Sequence, residues 1–252
     1  MALGDIVLSD GLLKLYLKFK KGNNLNPKEK KKLEQLLAYY KPHQTNKDQY
    51  DRINEPVDSA MMAQLQASGF NGLNERDLAK KTKLKLILTD AKCLYAYPYV
   101  NIDGSDSLKM CFTGTFKQKP RSKCVEHLIA LCENASDVTI YDKYLCEPRS
   151  VDSGLLDRVF GLFSSNTNVE VLLSSDSFAS QYAAAKDWWI QHKGNYSGIT
   201  ADFNQVSSTA NFHDRYMKIS SSTGNIEVLL SSGFDYLFQN AKDFTYVVNV
   251  IS

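Results

Sequence analysis

The sequence predicts a mixed α/β protein, with a twisted mixed sheet flanked by helices in its second half and a smaller α+β module before it. The chain has 252 residues, of which 43% are hydrophobic and 23% are charged, as in a globular protein with a substantial core. Short apolar runs of strand length recur along it. After residue 120 these runs alternate with stretches of helical periodicity. We therefore place the modules at residues 1–120 and 121–252.

The N-terminal module opens with one ambiguous segment and one clear helix. Residues 11–19 alternate apolar and basic side chains, which fits either a strand or a short amphipathic helix. Residues 26–29 are asparagine, proline, lysine and glutamate, the order of an N-cap, a first-turn proline and an acidic first turn. This order predicts a helix that continues to residue 37. The lysines at 28–32 favour a solvated helix face over an anion-binding one.

The rest of this module is predicted to be rich in strands. Residues 41–58 are polar and contain Pro42 and Pro56, so we expect a loop there and the most mobile internal segment of the chain. A short helix follows at 58–67. Strands are predicted at 84–88, 93–100 and 108–116.

The second half alternates strands with helices. Ser122 can cap a helix whose apolar residues Val125, Leu128, Ile129 and Cys132 recur at helical spacing. Further helices are predicted at 155–163 and 178–192. Strands are predicted at 138–141, 169–173, 202–206, 212–219, 226–230 and 245–251. Such alternation favours parallel strands with helices packed on the sheet faces.

Charge and cysteine usage exclude several classes of protein. The 30 basic and 28 acidic residues nearly balance, so no overall field draws the chain to nucleic acid or membrane. The five cysteines are an odd number without zinc-site spacing, which indicates reduced thiols and predicts no metal and no cofactor. The first residues lack a basic segment, and no apolar stretch approaches the roughly 20 residues that span a bilayer. We therefore expect a cytoplasmic protein with no membrane span.

One histidine lies in a context that suits chemistry. His213 and Arg215 would lie on the same side of the predicted strand 212–219, together with Met217. An imidazole beside a fixed cation suits phosphate, because the histidine attacks or relays a proton while the guanidinium holds two oxygens. The alternative is that both are ordinary strand residues in a hydrogen-bonded network. These two residues alone favour that alternative.

Four motifs in sequence order add to this pair. Residues 138–145 form a strand that ends in Asp-x-Tyr, and residues 169–175 form a strand that ends in polar residues. His-Asp-Arg-Tyr follows at 213–216, and a serine-bearing strand, Leu-Leu-Ser-Ser-Gly-Phe, follows at 229–234. This order resembles a half-domain of the phospholipase D-like superfamily, in the variant whose signature is His-Asp-Arg before Tyr or Phe. The resemblance covers less than half of the chain.

The family's full signature has a lysine two residues after the histidine and an aspartate five residues after the lysine. Arg215 stands at the lysine position, and Ser220 stands at the aspartate position. Active members form a phosphohistidine, so the resemblance implies His213 and Arg215 as the catalytic residues. The missing carboxylate implies a poorly oriented imidazole. Because the family brings two histidines together across a twofold interface, the single motif also implies a homodimer.

The resemblance also implies a ligand-binding set around these residues. Asp142 follows its strand and would lie near the edge of the sheet where the histidine strand begins. Asp142, Tyr144, Ser231 and Ser232 are therefore predicted to bind ligand. An alternative role for Asp142 is to cap the helix that follows it. Four aromatic residues suit stacking on bases, although packing is favoured for the two tryptophans: Tyr141, Tyr144, Trp188 and Trp189.

Chains that join such a domain to an unrelated N-terminal module resemble proteins of phage exclusion and antiphage defence. Two hypotheses follow from this resemblance. In the first, a degenerate site binds a phosphate-bearing ligand, a nucleic acid or a phage protein without turnover. In the second, a homodimeric phosphodiesterase or nuclease uses His213 as its nucleophile. Ser220 and the single motif favour the first hypothesis.

Overall fold

A computed structural model of the chain describes residues 3–92, 96–109, 112–206 and 215–251. The chain divides into two compact units, Met1–Cys111 and Phe112–Ser252. This division falls before the boundary expected at residue 120. Whether the units are separate folding domains stays a prediction.

The first unit contains a parallel sheet. Its four described strands lie in the order β2-β1-β3-β4, and all three pairings are parallel. The two central strands, β1 and β3, are buried, with Ile6, Val7, Ile87 and Leu88 each 0% exposed. The strands are β1 (Ile6–Leu8), β2 (His43–Gln44), β3 (Ile87–Thr89) and β4 (Tyr99–Asn101).

Five described helices accompany this sheet. The ambiguous segment 11–19 is helical, because its apolar residues form a stripe in which Leu12, Leu13 and Leu15 are buried. The second helix begins at the predicted cap: the Asn26 side chain accepts a hydrogen bond from the Glu29 N–H, and the Glu29 side chain accepts one from the Asn26 N–H. The helices are α1 (Asp10–Lys20), α2 (Pro27–Tyr39), α3 (Lys47–Arg52), α4 (Ser59–Ala67) and α5 (Glu75–Ala79).

The loop predicted at 41–58 is wrong, because β2 and α3 lie within it. Asn46 caps α3, and its side-chain amide donates hydrogen bonds to the carbonyls of Phe70 and Leu73. Gln49 is 1% exposed and donates to the Leu8 carbonyl at 2.6 Å. These buried amide contacts hold residues 41–58 in a defined structure. Because the segment is polar and has no apolar periodicity, its composition alone indicated a loop.

The second unit contains a mixed sheet. Among the described residues its seven strands have the order β5-β11-β10-β9-β6-β7-β8. Strands β6, β7 and β8 pair in parallel, while β9, β10, β11 and β5 join by antiparallel pairings. The strands are β5 (Thr113–Lys117), β6 (Ala135–Tyr141), β7 (Asn168–Leu173), β8 (Thr200–Gln205), β9 (Arg215–Ser221), β10 (Gly224–Leu230) and β11 (Asp243–Ile251).

Helices pack on this sheet, and alternate residues of its strands are buried beneath them. Val138 and Ile140 of β6 are 1% and 0% exposed, and α6 and α9 contact the strands of the parallel half. A buried polar contact lies in the same core, where His127 Nδ1 lies 2.9 Å from the Tyr246 hydroxyl. The helices are α6 (Ser122–Cys132), α7 (Pro148–Asp152), α8 (Leu155–Phe160), α9 (Phe178–His192) and α10 (Phe234–Leu237). The predicted fold class, mixed α/β with sheets flanked by helices, is confirmed.

Several strands begin at a different residue from the predicted one, among them β3 at Ile87 and β6 at Ala135. The strand predicted at 108–116 begins at Thr113, and it pairs with β11 at the edge of the second unit's sheet. The strand predicted at 93–100 is observed at Tyr99–Asn101, while residues 93–95 lie outside the described residues. Ser122 is the first residue of α6, and Arg121 is its cap.

The described helices are short relative to a bilayer. None of those in the described part of the chain is both long and apolar enough to cross a membrane.

Candidate functional site

The candidate site lies at one end of three neighbouring strands of the second unit's sheet. β6 ends at Tyr141, β9 begins at Arg215 and β10 ends at Leu230. In the antiparallel pairings, Tyr141 lies opposite Tyr216 and Leu230 lies opposite Arg215. The residues that follow β6 and β10 are therefore neighbours of Arg215.

Strand alternation determines which way the Arg215 side chain points. Successive residues of a strand lie on opposite faces, so Arg215 shares its face with Met217 and Ile219. Those two residues are 0% and 1% exposed, which identifies the buried side of the sheet. The guanidinium emerges from that side at the strand end, and the Arg215 side chain is 26% exposed.

Asp142 is a buried carboxylate held on both oxygens by the backbone. Its side chain is 2% exposed; Oδ1 accepts a hydrogen bond from the Tyr144 N–H at 3.0 Å, and Oδ2 accepts one from the Phe234 N–H at 2.8 Å. Burial raises the pKa of Asp142 above its ordinary value, and the two N–H donors and Arg215 oppose that rise. Asp142 thus ties the segment after β6 to the start of α10. As an alternative role, Asp142 was predicted to cap the helix that follows it in sequence. In the structure it instead accepts a hydrogen bond from the first residue of α10, a helix distant in sequence.

The Arg215 guanidinium has donors to spare. Its Nε lies 3.6 Å from Asp142 Oδ1, which is too long for a hydrogen bond. This buried Nε has no hydrogen-bond partner in the part of the chain that the structure describes. The guanidinium carbon lies 5.4 Å from the centre of the Tyr144 ring, within cation–π range. The aromatic ring and the carboxylate therefore hold the cation in place without occupying all of its N–H groups.

A pocket of about 360 Å³ opens beside this cation. Its wall combines one arginine, two carboxylates, hydroxyl groups and two tyrosine rings. The lining residues are Asp142, Tyr144, Ser150, Leu155, Arg215, Ser232, Gly233, Asp235 and Tyr236. Across the described residues, no group of three His, Cys, Asp or Glu side chains is placed to hold a metal ion.

A buried amide on α9 fixes the segment that carries Asp142 and Tyr144. Gln181 is 1% exposed, and its amide donates to the Lys143 carbonyl at 2.7 Å. Its side-chain oxygen accepts a hydrogen bond from the Ser174 N–H at 3.1 Å. Gln181 therefore links the segment after β6 to the end of β7. Sequence analysis missed this residue, although an isolated amide next to apolar positions of a predicted helix was a usable signal.

The structure brings together four of the residues predicted for the site: Asp142, Tyr144, Arg215 and Ser232. Ser231 does not line the pocket, because its hydroxyl accepts a hydrogen bond from the Thr245 N–H at 3.0 Å and so extends the pairing of β10 with β11. The predicted nucleophile, His213, lies outside the described residues. Its role stays a prediction.

Sequence analysis also missed Gly233 and Asp235, which complete the pocket wall. A Cβ atom added at Gly233 would lie 2.9 Å from Asp142 Oδ2 and 2.8 Å from Asp235 Oδ1. Only glycine leaves room for both carboxylates there. The motif Ser-Ser-Gly-Phe-Asp carried this information, but a glycine after a strand is usual in turns and gave no specific signal.

Ser220, at the family's aspartate position, lies away from the pocket. It pairs with Asn225 and Asp137 toward the far end of β9 from Arg215. Because Ser220 and Arg215 are five positions apart, an odd number, their side chains point to opposite faces of the strand. Along a regular strand five residues span roughly 16 Å. Ser220 therefore does not contribute to the wall beside Arg215.

Three of the four aromatic residues considered for base stacking are packing residues. Trp188 is 4% exposed, and both it and Trp189 contact the ring of Phe160. Tyr141 stacks on Tyr216 with ring centres 5.7 Å apart, on the sheet face opposite Arg215. Tyr144 differs from these, because it is 47% exposed and lies at the pocket.

Comparisons with known proteins give remote likenesses among solved structures. No protein-family model matches the chain, and no curated protein matches it. A solved structure of polyphosphate kinase from Porphyromonas gingivalis is similar over 55% of this chain, with 13% sequence identity and a TM-score of 0.35. The matched region spans 23% of that enzyme's chain.

Proposed function

We propose that the second unit binds a phosphate-bearing ligand through Arg215, as a binding module without turnover. The observation that carries the proposal is the guanidinium itself. It lines a pocket, lies over the Tyr144 ring, and has a buried Nε–H with no partner among the described residues. Buried donors in folded proteins are nearly always satisfied, so this guanidinium is incompletely bonded inside the protein. The exposed part of the side chain, 26% of it, can donate to a ligand in the pocket.

The geometry favours phosphate over a simple halide or a single acceptor. Arginine presents its N–H groups in a planar fork that matches two oxygens of one phosphate, and the contact with the Tyr144 ring helps to hold the guanidinium in place. The Ser232 hydroxyl lies in the same wall and can donate to a further oxygen. The pocket volume of about 360 Å³ falls within the range of small-ligand sites.

The binding test uses inorganic phosphate and compares three proteins by NMR titration. Arg215→Lys keeps the charge but removes the fork, so its Kd for phosphate should rise about tenfold. Arg158→Lys is the matched control, since Arg158 lies over Phe238 and outside the pocket wall. Equal affinity of the wild type and Arg215→Lys would refute the proposed site.

The biological setting that we propose is phage exclusion or antiphage defence, with a nucleic acid or a phage protein as the source of the anionic group. This setting rests on the resemblance of 213–216 and its companion motifs. Plating efficiency of phages on cells that carry the wild type or Arg215→Lys tests it. Protection by the wild type and its loss in the variant are expected, and a chain that protects against no phage would contradict the setting.

The second candidate is an active homodimeric phosphodiesterase or nuclease with His213 as its nucleophile. The feature that favours it is the two-residue spacing of His213 and Arg215. His213→Ala would then abolish hydrolysis of bis-p-nitrophenyl phosphate, and Arg215→Lys would leave a reduced rate. Absence of turnover in a wild-type protein that still binds phosphate supports the binding module.

A further inference from the structure

A cavity of about 330 Å³ lies in the first unit between α4 and the segments that hold β1 and β2. One face of α4 lines it, since Met61, Leu65 and the C-cap Ser68 recur at helical spacing. Asp5, which precedes β1, and His43 of β2 contribute to the rest of the wall. A volume of this size falls within the range of sites that hold small organic molecules.

The packing of α4 is incomplete on the face that lines the cavity. Of the nine residues of this helix only Leu65 is buried, while Met61 and Met62 are half-buried. Helices in proteins are stabilised mainly by the packing of an apolar face. A ligand with apolar surface in the cavity would therefore supply contacts that α4 lacks, and methionine side chains adapt readily to the shape of such a ligand.

The charged and polar side chains of this wall are largely bonded within the protein. Asp5 and Lys83 form an ion pair, with Oδ1 and Nζ 3.3 Å apart, and so neutralise each other. The side-chain oxygen of Gln44 accepts a backbone N–H at 3.2 Å, and the Thr45 hydroxyl donates to a neighbouring amide at 2.9 Å. A charged ligand would find no unpaired counter-ion among the described residues of the wall, which favours an uncharged one.

His43 presents an open acceptor in the same wall. Burial lowers the pKa of His43 to about 4, so its imidazole is neutral near pH 7. The Tyr40 hydroxyl donates to the Tyr16 hydroxyl at 3.1 Å, so it can only accept from His43 Nδ1, which lies 3.1 Å away. Nδ1 therefore carries the proton of the ring. Nε2 keeps a lone pair that no described residue occupies.

We propose that this cavity binds a small, uncharged and largely apolar molecule that carries an N–H or O–H donor. The apolar body packs against Met61 and Leu65 of α4, and the donor forms a hydrogen bond to Nε2 of His43. A planar heterocycle of the size of indole has this chemistry. Phosphate binding by the second unit is not required for it.

The first experiment titrates the full chain with indole and with benzofuran, which has the same shape but an oxygen in place of the N–H group. Wild-type protein should bind indole roughly fivefold more tightly, the typical effect of one hydrogen bond. His43→Phe keeps a ring and removes the acceptor, so the preference for indole should disappear. His192→Phe, the same exchange in the second unit, should keep it.

The second experiment measures hydrogen exchange, which reports on α4 directly. With indole at about ten times its Kd, the amides of α4 should exchange roughly tenfold more slowly, because opening of the helix releases the ligand. The amides of α9 in the second unit should not change. Met61→Trp fills the cavity and should abolish the protection, whereas Gln66→Trp, at an exposed position of the same helix outside the wall, should retain it.

The outcomes test the cavity and the acceptor separately. Exchange in α4 that is unaffected by indole, or protection that persists in Met61→Trp, overturns the binding site. Equal affinity of the wild type for the two probes, or a preference for indole that persists in His43→Phe, overturns the role of Nε2. If His43→Phe does not fold, the two probes on the wild type still decide that role. Loss of phosphate binding in Arg215→Lys leaves each of these results unchanged.

Discussion

Nε of Arg215 lies 3.6 Å from Oδ1 of Asp142, close enough for charge attraction and too far for a hydrogen bond. Both oxygens of Asp142 are bonded to backbone N–H groups instead. The carboxylate thus holds the segments after β6 and β10 together and leaves the arginine with open donors. This division of roles connects the fold of the second unit to the binding function that we propose.

Asp142→Asn should destabilise the second unit. Asparagine keeps one acceptor oxygen, but its amide group would face one of the two backbone N–H donors and leave that donor unpaired. A buried unpaired donor costs about 1–3 kcal/mol, which should appear as a lower free energy of unfolding in urea. Asp202→Asn on the exposed surface of β8 serves as the control and should change stability by less than about 0.5 kcal/mol. Equal stability of the two variants would contradict the structural role of Asp142.

Gly233→Ala should weaken both stability and phosphate binding. The new methyl group would lie 2.9 Å from Asp142 Oδ2, and so the carboxylate must move away from the Phe234 N–H. We expect a loss of about 1–3 kcal/mol in the free energy of unfolding. Gly194→Ala is the matched control, because no atom lies within 4 Å of its added Cβ. A Gly233→Ala protein as stable as the Gly194→Ala protein would show that the wall is more open than described.

The boundary between the two units can be tested with fragments. Residues 112–252 retain β5, whose Phe116 is 1% exposed and whose backbone pairs with β11. Residues 121–252 lack this strand and lose the burial of Phe116, which is worth about 1.5–3 kcal/mol by itself. The longer fragment should therefore unfold cooperatively at a clearly higher urea concentration. Indistinguishable unfolding curves would place the boundary near residue 120, as the sequence predicted.

Acid should destabilise the first unit through His43. Burial lowers the pKa of His43 from 6.5 to about 4. Between pH 6.5 and about 4 the His43 side chain binds a proton in the unfolded chain but not in the folded protein. The first unit therefore has its full stability above pH 6.5 and loses stability as the pH falls toward about 4. The loss should be about 3 kcal/mol, because each tenfold difference in proton affinity corresponds to about 1.4 kcal/mol.

His43→Gln should remove most of this dependence. Urea unfolding followed by the Val7 amide resonance in β1 reports on the first unit. Above about pH 7.5 both proteins contain a neutral side chain at position 43, so the difference between their free energies of unfolding should not change with pH. If the free energy of unfolding falls equally in both proteins down to about pH 4, the assignment to His43 is contradicted.

The second unit was largely predictable because its elements follow simple periodicities. The apolar residues of α8 and the β-branched runs of β7 and β10 lie in the core, as the sequence pattern predicted. The first unit was less predictable. Its β1 and β3 each have three residues, too few for a periodic pattern, and the segment at 41–58 is ordered by buried amides such as Gln49.

The candidate site was predicted in part, for a physical reason. Asp142 and Arg215 could be placed because residues at the ends of adjacent strands share a sheet edge, and motif order pointed to those ends. Gly233, Asp235 and Gln181 act through close packing and side-chain hydrogen bonds between segments distant in sequence. Such contacts leave no periodic signal in a single sequence.

The most direct test of phosphate binding observes the guanidinium N–H resonances of Arg215 by NMR while dimethyl phosphate is added. A hydrogen bond to a phosphate oxygen moves such a resonance downfield, and a specific site saturates. The account predicts a saturable downfield shift of an Arg215 guanidinium resonance, with those of Arg158 unchanged. A resonance of Arg215 that stays in place at saturating dimethyl phosphate, or that moves together with Arg158 without saturating, would contradict the account.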